Sequence, residues 1–363
     1  MRLPGRLRGL LAREWLPILA AALLVVLCTA LRRVPRWSRD EVEVLVLLAA
    51  LLVTVRGLAL AGAVRWLARR LEAGRQVPLR LVVATWLLSM VVTNDVALLA
   101  IVPLTLALDR RGKGFLVVLE TLAANAGSAL TPVGNPQNLF LYWRYHPDPA
   151  AFVATIAPLA LSFLALVAGL ALLVPGSAET EPRRAPGPPR RAAAGWALLL
   201  AVLVLVVVRA LPFPAVALVA LAAPFLDRRA LAIDLGLLVA FACFFGIADV
   251  LRTALAPHLA GGAHVLVASA LASQLLGNVP ATLLFSEFTA DWRALLWGVS
   301  VGGFGTLVAS LANLIAWRLY VTHPSTADAR RFTLLMHAAG AAAFLLGLAL
   351  AAAWGPAGIL GGS

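Results

Sequence analysis

Two segments of this chain are as apolar as a membrane span, yet each is broken near its middle by a short polar island. Leu81–Leu108 runs for 28 residues and is interrupted by Ser89, Thr93, Asn94 and Asp95. Each flanking arm is about a dozen residues, roughly 18 Å at 1.5 Å per residue, against a hydrocarbon core of about 30 Å. Neither arm can cross alone, so the segment is expected to fold as a re-entrant helical hairpin with its polar tip near mid-membrane. Irregular backbone is tolerated at that depth only inside protein or against a water-filled cavity. A second hairpin is expected at about His264–Ser286, with Ser273, Gly277 and Asn278 toward its tip.

Downstream of the first hairpin, Phe115–Tyr142 is an apolar helix broken by Thr131-Pro132-Val133-Gly134-Asn135-Pro136-Gln137-Asn138. Proline removes a backbone donor and clashes with the preceding turn, which frees carbonyls. A hairpin tip facing a broken helix gathers helix ends, free carbonyls and amide side chains at mid-depth, as the ion and substrate sites of secondary transporters do.

Composition agrees with the membrane reading. With 62% hydrophobic residues, 13% charged and a mean hydropathy of +0.93, the chain reads as an all-α polytopic membrane protein. The net charge of +13 lies largely on arginines in short loops between apolar runs, a membrane-orientation pattern, so nucleic acid is not expected as a partner. Cys28 and Cys243 fall within apolar spans, and the five histidines are scattered without ligand spacing, so neither a disulfide framework nor a zinc site is expected. No nucleophile or metal cluster points to an enzyme, and no cofactor is expected beyond a coupling ion. Arg2, Arg6, Arg8 and Arg13 precede Trp15–Leu31 as in a signal peptide, but Arg32-Arg33 and the lack of a small-residue cleavage site favour an uncleaved first span.

The expected order is an N-terminal span (1–37); a first repeat (38–174) with hairpin 81–108 and broken helix 115–142; a Pro/Arg linker (175–195); connecting spans (196–226); a second repeat (227–322) with hairpin 264–286 and broken helix 293–320; and a C-terminal span (323–363). Full spans are expected at 15–31, 42–64, 150–174, 196–209, 212–225, 231–251 and 332–354, with Trp15, Trp66, Trp143, Trp196, Trp292 and Trp317 as interfacial aromatics at span ends. Both flanks of the first hairpin are basic, with five Arg in Arg65–Arg80 and then Arg110, Arg111 and Lys113. Placing both flanks in the cytoplasm makes the segment between them enter and leave on one side. It also puts the linker, Arg228-Arg229, Arg330-Arg331 and the N-terminus inside, and opens the second hairpin outward. The loop Arg32–Arg39 lands outside against the charge rule. The expected location is a bacterial inner membrane, and the expected partners are lipid and a small-ion substrate, with a homodimer possible.

The two halves echo each other. Asn94-Asp95-Val96-Ala97 matches Asn278-Val279-Pro280-Ala281, and Ser89 and Ser273 each stand five residues earlier. Gly127-Ser128 precedes Asn135 by eight, as Gly305-Thr306 precedes Asn313. These pairs set separations of 184 residues for the hairpins and 178 for the broken helices. The opposite openings make the repeat an inverted one, the signature of alternating-access carriers.

The blocks TNDVALLAIVPL, NAGSALTPVGNPQNLF, SQLLGNVPATLLF and GVSVGGFGTLVASLANLIAWRLY resemble the ion transporter superfamily, which groups divalent anion/sodium symporters, arsenite permeases and a class of sodium/proton antiporters. They are similar in particular to its citrate-transporter-like anion permeases, over about Asp40–Tyr320. In the dicarboxylate symporters each hairpin carries a Ser-x-x-x-Ser-Asn-Thr motif that binds sodium and substrate carboxylates. The resemblance implies a sodium site at Ser89, Thr93, Asn94 and Asn135 with Gly134, and a second cation site at Ser273, Asn278, Ser310 and Asn313; Thr131 and Gly277 complete the candidate set. Here Asp95 stands in place of a Thr, and Gly277 and Val279 in place of hydroxyls.

An ionised Asp at mid-depth is costly without a partner, so Asp95 is read as the coupling carboxylate as well as a helix cap. Asn135 and Asn313 are read as ligands rather than interhelical glue. Glu120 is expected to snorkel or pair with Lys113 or Arg111, Asp234 and Asp249 to be interfacial, and Gly302, Gly303 and Gly305 to permit close helix packing. Arg56 is read as snorkelling inward or balancing an anion. The function expected is secondary active transport of a small inorganic or carboxylate anion coupled to sodium or protons, with a sodium/proton antiporter or arsenite permease as the alternative.

Overall fold

The computed structural model describes residues 15–63, 66, 76–108, 112–174, 190–259, 264–324, 326 and 328–356. Most of the linker, much of the basic flank before the first hairpin, and Arg110-Arg111 lie outside the described residues. Those described form helices and connecting turns, with no strand among them. In chain order the helices are α1 (Trp15–Leu31), α2 (Arg39–Leu60), α3 (Val77–Val92), α4 (Asn94–Ala107), α5 (Lys113–Ala129), α6 (Pro136–Tyr145), α7 (Pro149–Leu172), α8 (Arg190–Val207), α9 (Ala217–Asp227), α10 (Leu235–Leu259), α11 (Val265–Leu276), α12 (Asn278–Ser286), α13 (Trp292–Gly302), α14 (Leu311–Val321) and α15 (Ala329–Trp354). Helices α2, α7, α10 and α15 are long and apolar enough to cross a bilayer.

Local chemistry sets the ends. Ser38 and Glu41 form a reciprocal cap at the start of α2, and Asp148 ahead of Pro149 and Asp328 cap α7 and α15. Each expected hairpin is a pair of short helices joined through one residue, α3 to α4 at Thr93 and α11 to α12 at Gly277. The two junctions share one conformation, φ 73°, ψ 152° at Thr93 and φ 91°, ψ 153° at Gly277. That region is nearly reserved for glycine and costs other residues about 1–3 kcal/mol. The expected broken helices are α5 followed by α6, and α13 followed by α14.

Within each half the first hairpin helix packs on the first part of the broken helix, α3 on α5 and α11 on α13. Small residues allow the approach. A Cβ at Gly127 would lie 2.4 Å from Ser89 Oγ, and one at Gly302 would lie 2.5 Å from Ser273 Oγ. Across the halves the second elements interlock, α4 against α14 and α12 against α6.

Two expectations change. Trp196 is packed inside the protein rather than exposed at a span end: its indole covers Gly57, where any Cβ would meet the ring at 2.2 Å. Trp143 is buried too, and its Nε1 donates to Glu43 at 3.1 Å. The expected span at 212–225 is an 11-residue helix, about 16 Å long. Pro212 and Pro214 hold its start in a 3₁₀ turn, Phe213–Val216, and a second turn, Arg228–Leu231, follows it. With those turns the segment runs beside α2 from the level of Glu43, where Arg209 stacks on Tyr142 and Trp143, to Arg56, whose Nε donates to the Arg229 carbonyl at 3.1 Å.

Candidate substrate and ion site

Each hairpin tip is stitched to the broken helix of its own half by a backbone bond. Asn94 N–H donates to the Gly134 carbonyl at 3.1 Å, and Asn278 N–H donates to the Ala309 carbonyl at 2.9 Å. A side-chain hydroxyl adds a second stitch. Thr131 Oγ1 donates to the Met90 carbonyl at 2.6 Å, and Thr306 Oγ1 donates to the Gln274 carbonyl at 2.8 Å.

In each break one asparagine gathers the carbonyls stranded where the first helix ends. Asn138 Nδ2 donates to Ser128, Ala129 and Thr131 carbonyls at 3.2, 2.8 and 3.0 Å. Asn313 Nδ2 donates to Gly303 and Thr306 carbonyls at 3.0 and 2.9 Å. The residue at the start of the second helix is its cap: Asn135 accepts from Asn138 N–H at 2.9 Å, and Ser310 accepts from Ala312 N–H at 3.3 Å.

These contacts correct the expected register. The broken helices correspond at a separation of 175 residues, not 178, so Asn313 matches Asn138, Ser310 matches Asn135, Thr306 matches Thr131 and Gly302 matches Gly127. The hairpins keep the expected 184, with Met90 opposite Gln274. The residue-type coincidence of Asn135 with Asn313 misled the count; the carbonyls each amide collects decide it.

Four helix starts converge on one cavity of about 90 Å³: Asn94 and Asp95 on α4, Pro136 and Gln137 on α6, Asn278 to Pro280 on α12, and Ser310 and Leu311 on α14. Phe241 and Phe244 of α10 give it an apolar wall, and no cationic side chain is among its lining residues. The volume admits a few water molecules or one small ion. Helix starts carry the positive end of the peptide dipole, although the Asn94 and Asn278 N–H groups are already bonded to the Gly134 and Ala309 carbonyls and Asp95 brings a carboxylate to the same wall. One Asp95 carboxylate oxygen, Oδ1, is buried without a hydrogen-bond partner among the described residues. A wider space of about 580 Å³ adjoins at Asp95 and reaches Arg56 and Asp234.

Of the residues expected at the site, Asn94, Asp95, Gly277, Asn278 and Ser310 line this cavity. Ser89 and Ser273 sit one layer back, their hydroxyls donating to their own helices, to the Trp86 carbonyl at 2.8 Å and the Ser269 carbonyl at 2.7 Å. Thr93 is buried at the junction, and Thr131, Gly134, Asn135 and Asn313 hold the breaks in shape. Gly134 has no room for a side chain, since a Cβ would lie 2.2 Å from the Ser128 carbonyl oxygen.

Sequence reasoning passed over Asn125, which joins the halves. Its Nδ2 donates to Asn313 Oδ1 at 2.7 Å, and its Oδ1 accepts from Ser310 Oγ at 3.1 Å and Asn94 Nδ2 at 3.4 Å. Its place at the head of the block NAGSALTPVGNPQNLF was a signal that pointed to it. Glu120, also buried, accepts from Thr105, while Lys113 Nζ donates to the Leu106 carbonyl at 2.8 Å. Asp234 caps α10 through Leu237 N–H, and Asp249 accepts from Arg36 N–H.

A family model described as citrate transporter matches residues 9–302. The inner membrane protein YbiR of Escherichia coli is 36% identical over 296 residues, covering 76% of this chain and 79% of that protein. An uncharacterised transporter of Methanocaldococcus jannaschii is 30% identical over 260 residues, covering 69% and 72%. A silicon efflux transporter of Oryza sativa is 33% identical over 152 residues, covering 40% and 31%. With its all-helical, apolar architecture and this family match, the chain belongs to the citrate transporter family and is a multi-pass membrane transporter.

Proposed function

We propose that the protein is a secondary active transporter that carries a small inorganic or carboxylate anion across the inner membrane by alternating access, coupled to sodium or protons. The observation that carries this reading is the convergence of four helix starts on one small cavity between the halves. Helix starts attract the anion, while Asp95 and the absence of a cationic lining residue call for a cation or proton to travel with it. Thr93, Asn94 and Asp95 serve the coupling ion, with Ser89, Thr131, Gly134 and Asn135 holding that tip. Asn278 and Ser310 face the substrate, with Ser273, Gly277 and Asn313 behind them.

Re-entrant hairpins in inverted repeats supply the moving parts. Their support is the placement of the hairpin bases. The base of the first, at Leu106, meets Lys113 beside Gly114, Tyr320 and Phe332. The base of the second, at Ser286 and Glu287, meets Tyr145 and Arg144 at the far end of the α5–α6 segment. Bases at opposite ends of the α5–α6 segment support hairpins that approach the cavity from opposite sides, and the basic flanks support a cytoplasmic first base and N-terminus.

The test is thermal stability of the purified protein with citrate, succinate, phosphate, sulfate, arsenite and silicate, each with and without sodium and at two pH values, followed by uptake into proteoliposomes. A ligand at a hundred times its Kd adds about 2.7 kcal/mol to a native state that alone binds it. We expect at least one anion to stabilise the protein more strongly with sodium or at the lower pH, and to be taken up saturably. No stabilisation and no saturable uptake would overturn the reading. Arsenite and silicate are included because Asp95 favours the efflux alternative and a relative bears the name of a silicon efflux transporter.

A further inference from the structure

The two tips share their backbone but not their chemistry. The first carries oxygen at and after its junction, Thr93 and Asp95, and one Asp95 carboxylate oxygen is buried without a partner among the described residues. At the matching places the second has Gly277 and Val279, with no side-chain oxygen.

The anchoring differs in the opposite sense. At the second tip Gln274 Nε2 donates to the Gly302 carbonyl at 2.8 Å and to the Ala270 carbonyl at 3.1 Å. Its Oε1 accepts from Thr306 N–H at 2.8 Å, and its own carbonyl accepts from Thr306 Oγ1 at 2.8 Å. Gly305 leaves the space this amide fills: a Cβ there would lie 1.7 Å from Gln274 Oε1. At the first tip the matching residue is Met90, and only the Thr131 hydroxyl reaches its carbonyl. The strain is divided the same way, because a threonine occupies at the first junction the conformation that glycine adopts freely at the second.

We propose that the tips have separate jobs. One coupling ion, sodium or a proton, binds at the first tip through Thr93 and Asp95; the second tip binds none and is held shut by the Gln274 amide as a fixed wall for the substrate. This rests on the coupled-transport reading above. A hard cation needs several oxygens; both tips have an asparagine, Asn94 and Asn278, but only the first adds the hydroxyl of Thr93 and the carboxylate of Asp95. The charged groups bordering the Asp95 side of the cavity are Arg56 and Asp234. On the helices packed against α4, Arg80 and Lys113 stand at the base of the hairpin, Glu120 is bonded to Thr105 near the α4 end remote from Asp95, and Arg318 is exposed.

The test counts ions without knowing the substrate. Unfolding of the purified protein is followed while sodium replaces choline at fixed pH, and separately while pH is varied without sodium. Above its Kd, one bound ion raises the folding equilibrium constant tenfold per decade of ion concentration, and two raise it a hundredfold. We expect the tenfold slope for one of the two ions. We also expect Thr93→Gly to flatten a sodium slope, and Asp95→Asn to flatten the slope whichever ion gives it, both leaving the protein folded, and Gln274→Met to keep the slope while lowering the Tm. A hundredfold slope, or a slope lost in Gln274→Met and kept in Asp95→Asn, would overturn this proposal and leave coupled transport standing. No dependence on either ion would remove both.

Discussion

Asn125 is the residue on which most of the site leans. It touches the first tip, the cap of α14 and the amide that shapes the second break. Removing it strands buried partners on both sides, at about 1–3 kcal/mol for each buried polar group left unmade. Asn125→Ala is therefore expected to lower the Tm by several degrees and cut proteoliposome uptake at least tenfold. Equal uptake in wild type and Asn125→Ala would show that the bridge is idle in transport. Asp95→Asn separates charge from shape. It is expected to insert normally and to lose its dependence on the sodium or the pH gradient, measured separately; unchanged dependence on both would reduce Asp95 to a helix cap.

Between elements, the contacts of α3 with α5 and of α11 with α13 are set by glycines with no space beside them. A Cβ at Gly298 would lie 2.1 Å from Ser269 Oγ, and at Gly127 2.2 Å from the Trp86 carbonyl oxygen. Overpacking at such points costs about 1–3 kcal/mol or more. Gly127→Val and Gly298→Val should both lower the Tm and disturb the tips. Gly169, where an added Cβ would meet nothing within 4 Å, should accept alanine with little effect. A thermal series over the three variants checks the ranking, and a tolerant Gly127→Val would mean that α3 and α5 can move apart. Gly127 and Gly302 were within reach of the sequence as small residues before a break. Their partners were not, because a helix sequence does not say which neighbour its narrow face meets.

At the scale of the whole molecule, the proposed inverted arrangement predicts sidedness. Cysteines at Arg80 and Lys113 should label from the cytoplasmic face and one at Pro147 from the other, each in a cysteine-free background. Labelling of Arg80 and Lys113 from opposite faces would remove the first re-entrant hairpin. The Pro-rich linker carries almost no apolar residue to bury, so deleting part of 179–189 should leave uptake largely intact. An inserted but inactive deletion would assign the linker a role in transport.

The sequence by itself determined what depends on length and local backbone chemistry. Apolar runs measured against bilayer thickness marked the long helices, and the prolines and glycines of 131–138 marked the first break. The polar residues Thr93-Asn94-Asp95 and the pair Gly277-Asn278 marked the two junctions between short helices. Tertiary structure alone decided what depends on which faces meet. Asn138, rather than Asn135, is the counterpart of Asn313 because each collects the stranded carbonyls of its own half. Trp196 is buried because Gly57 on a distant helix leaves it a slot. Asn125 and Gln274 became visible as organisers only once the helices were packed. A buried amide declares its role through the partners that satisfy it, and those partners lie up to 188 residues away in the chain.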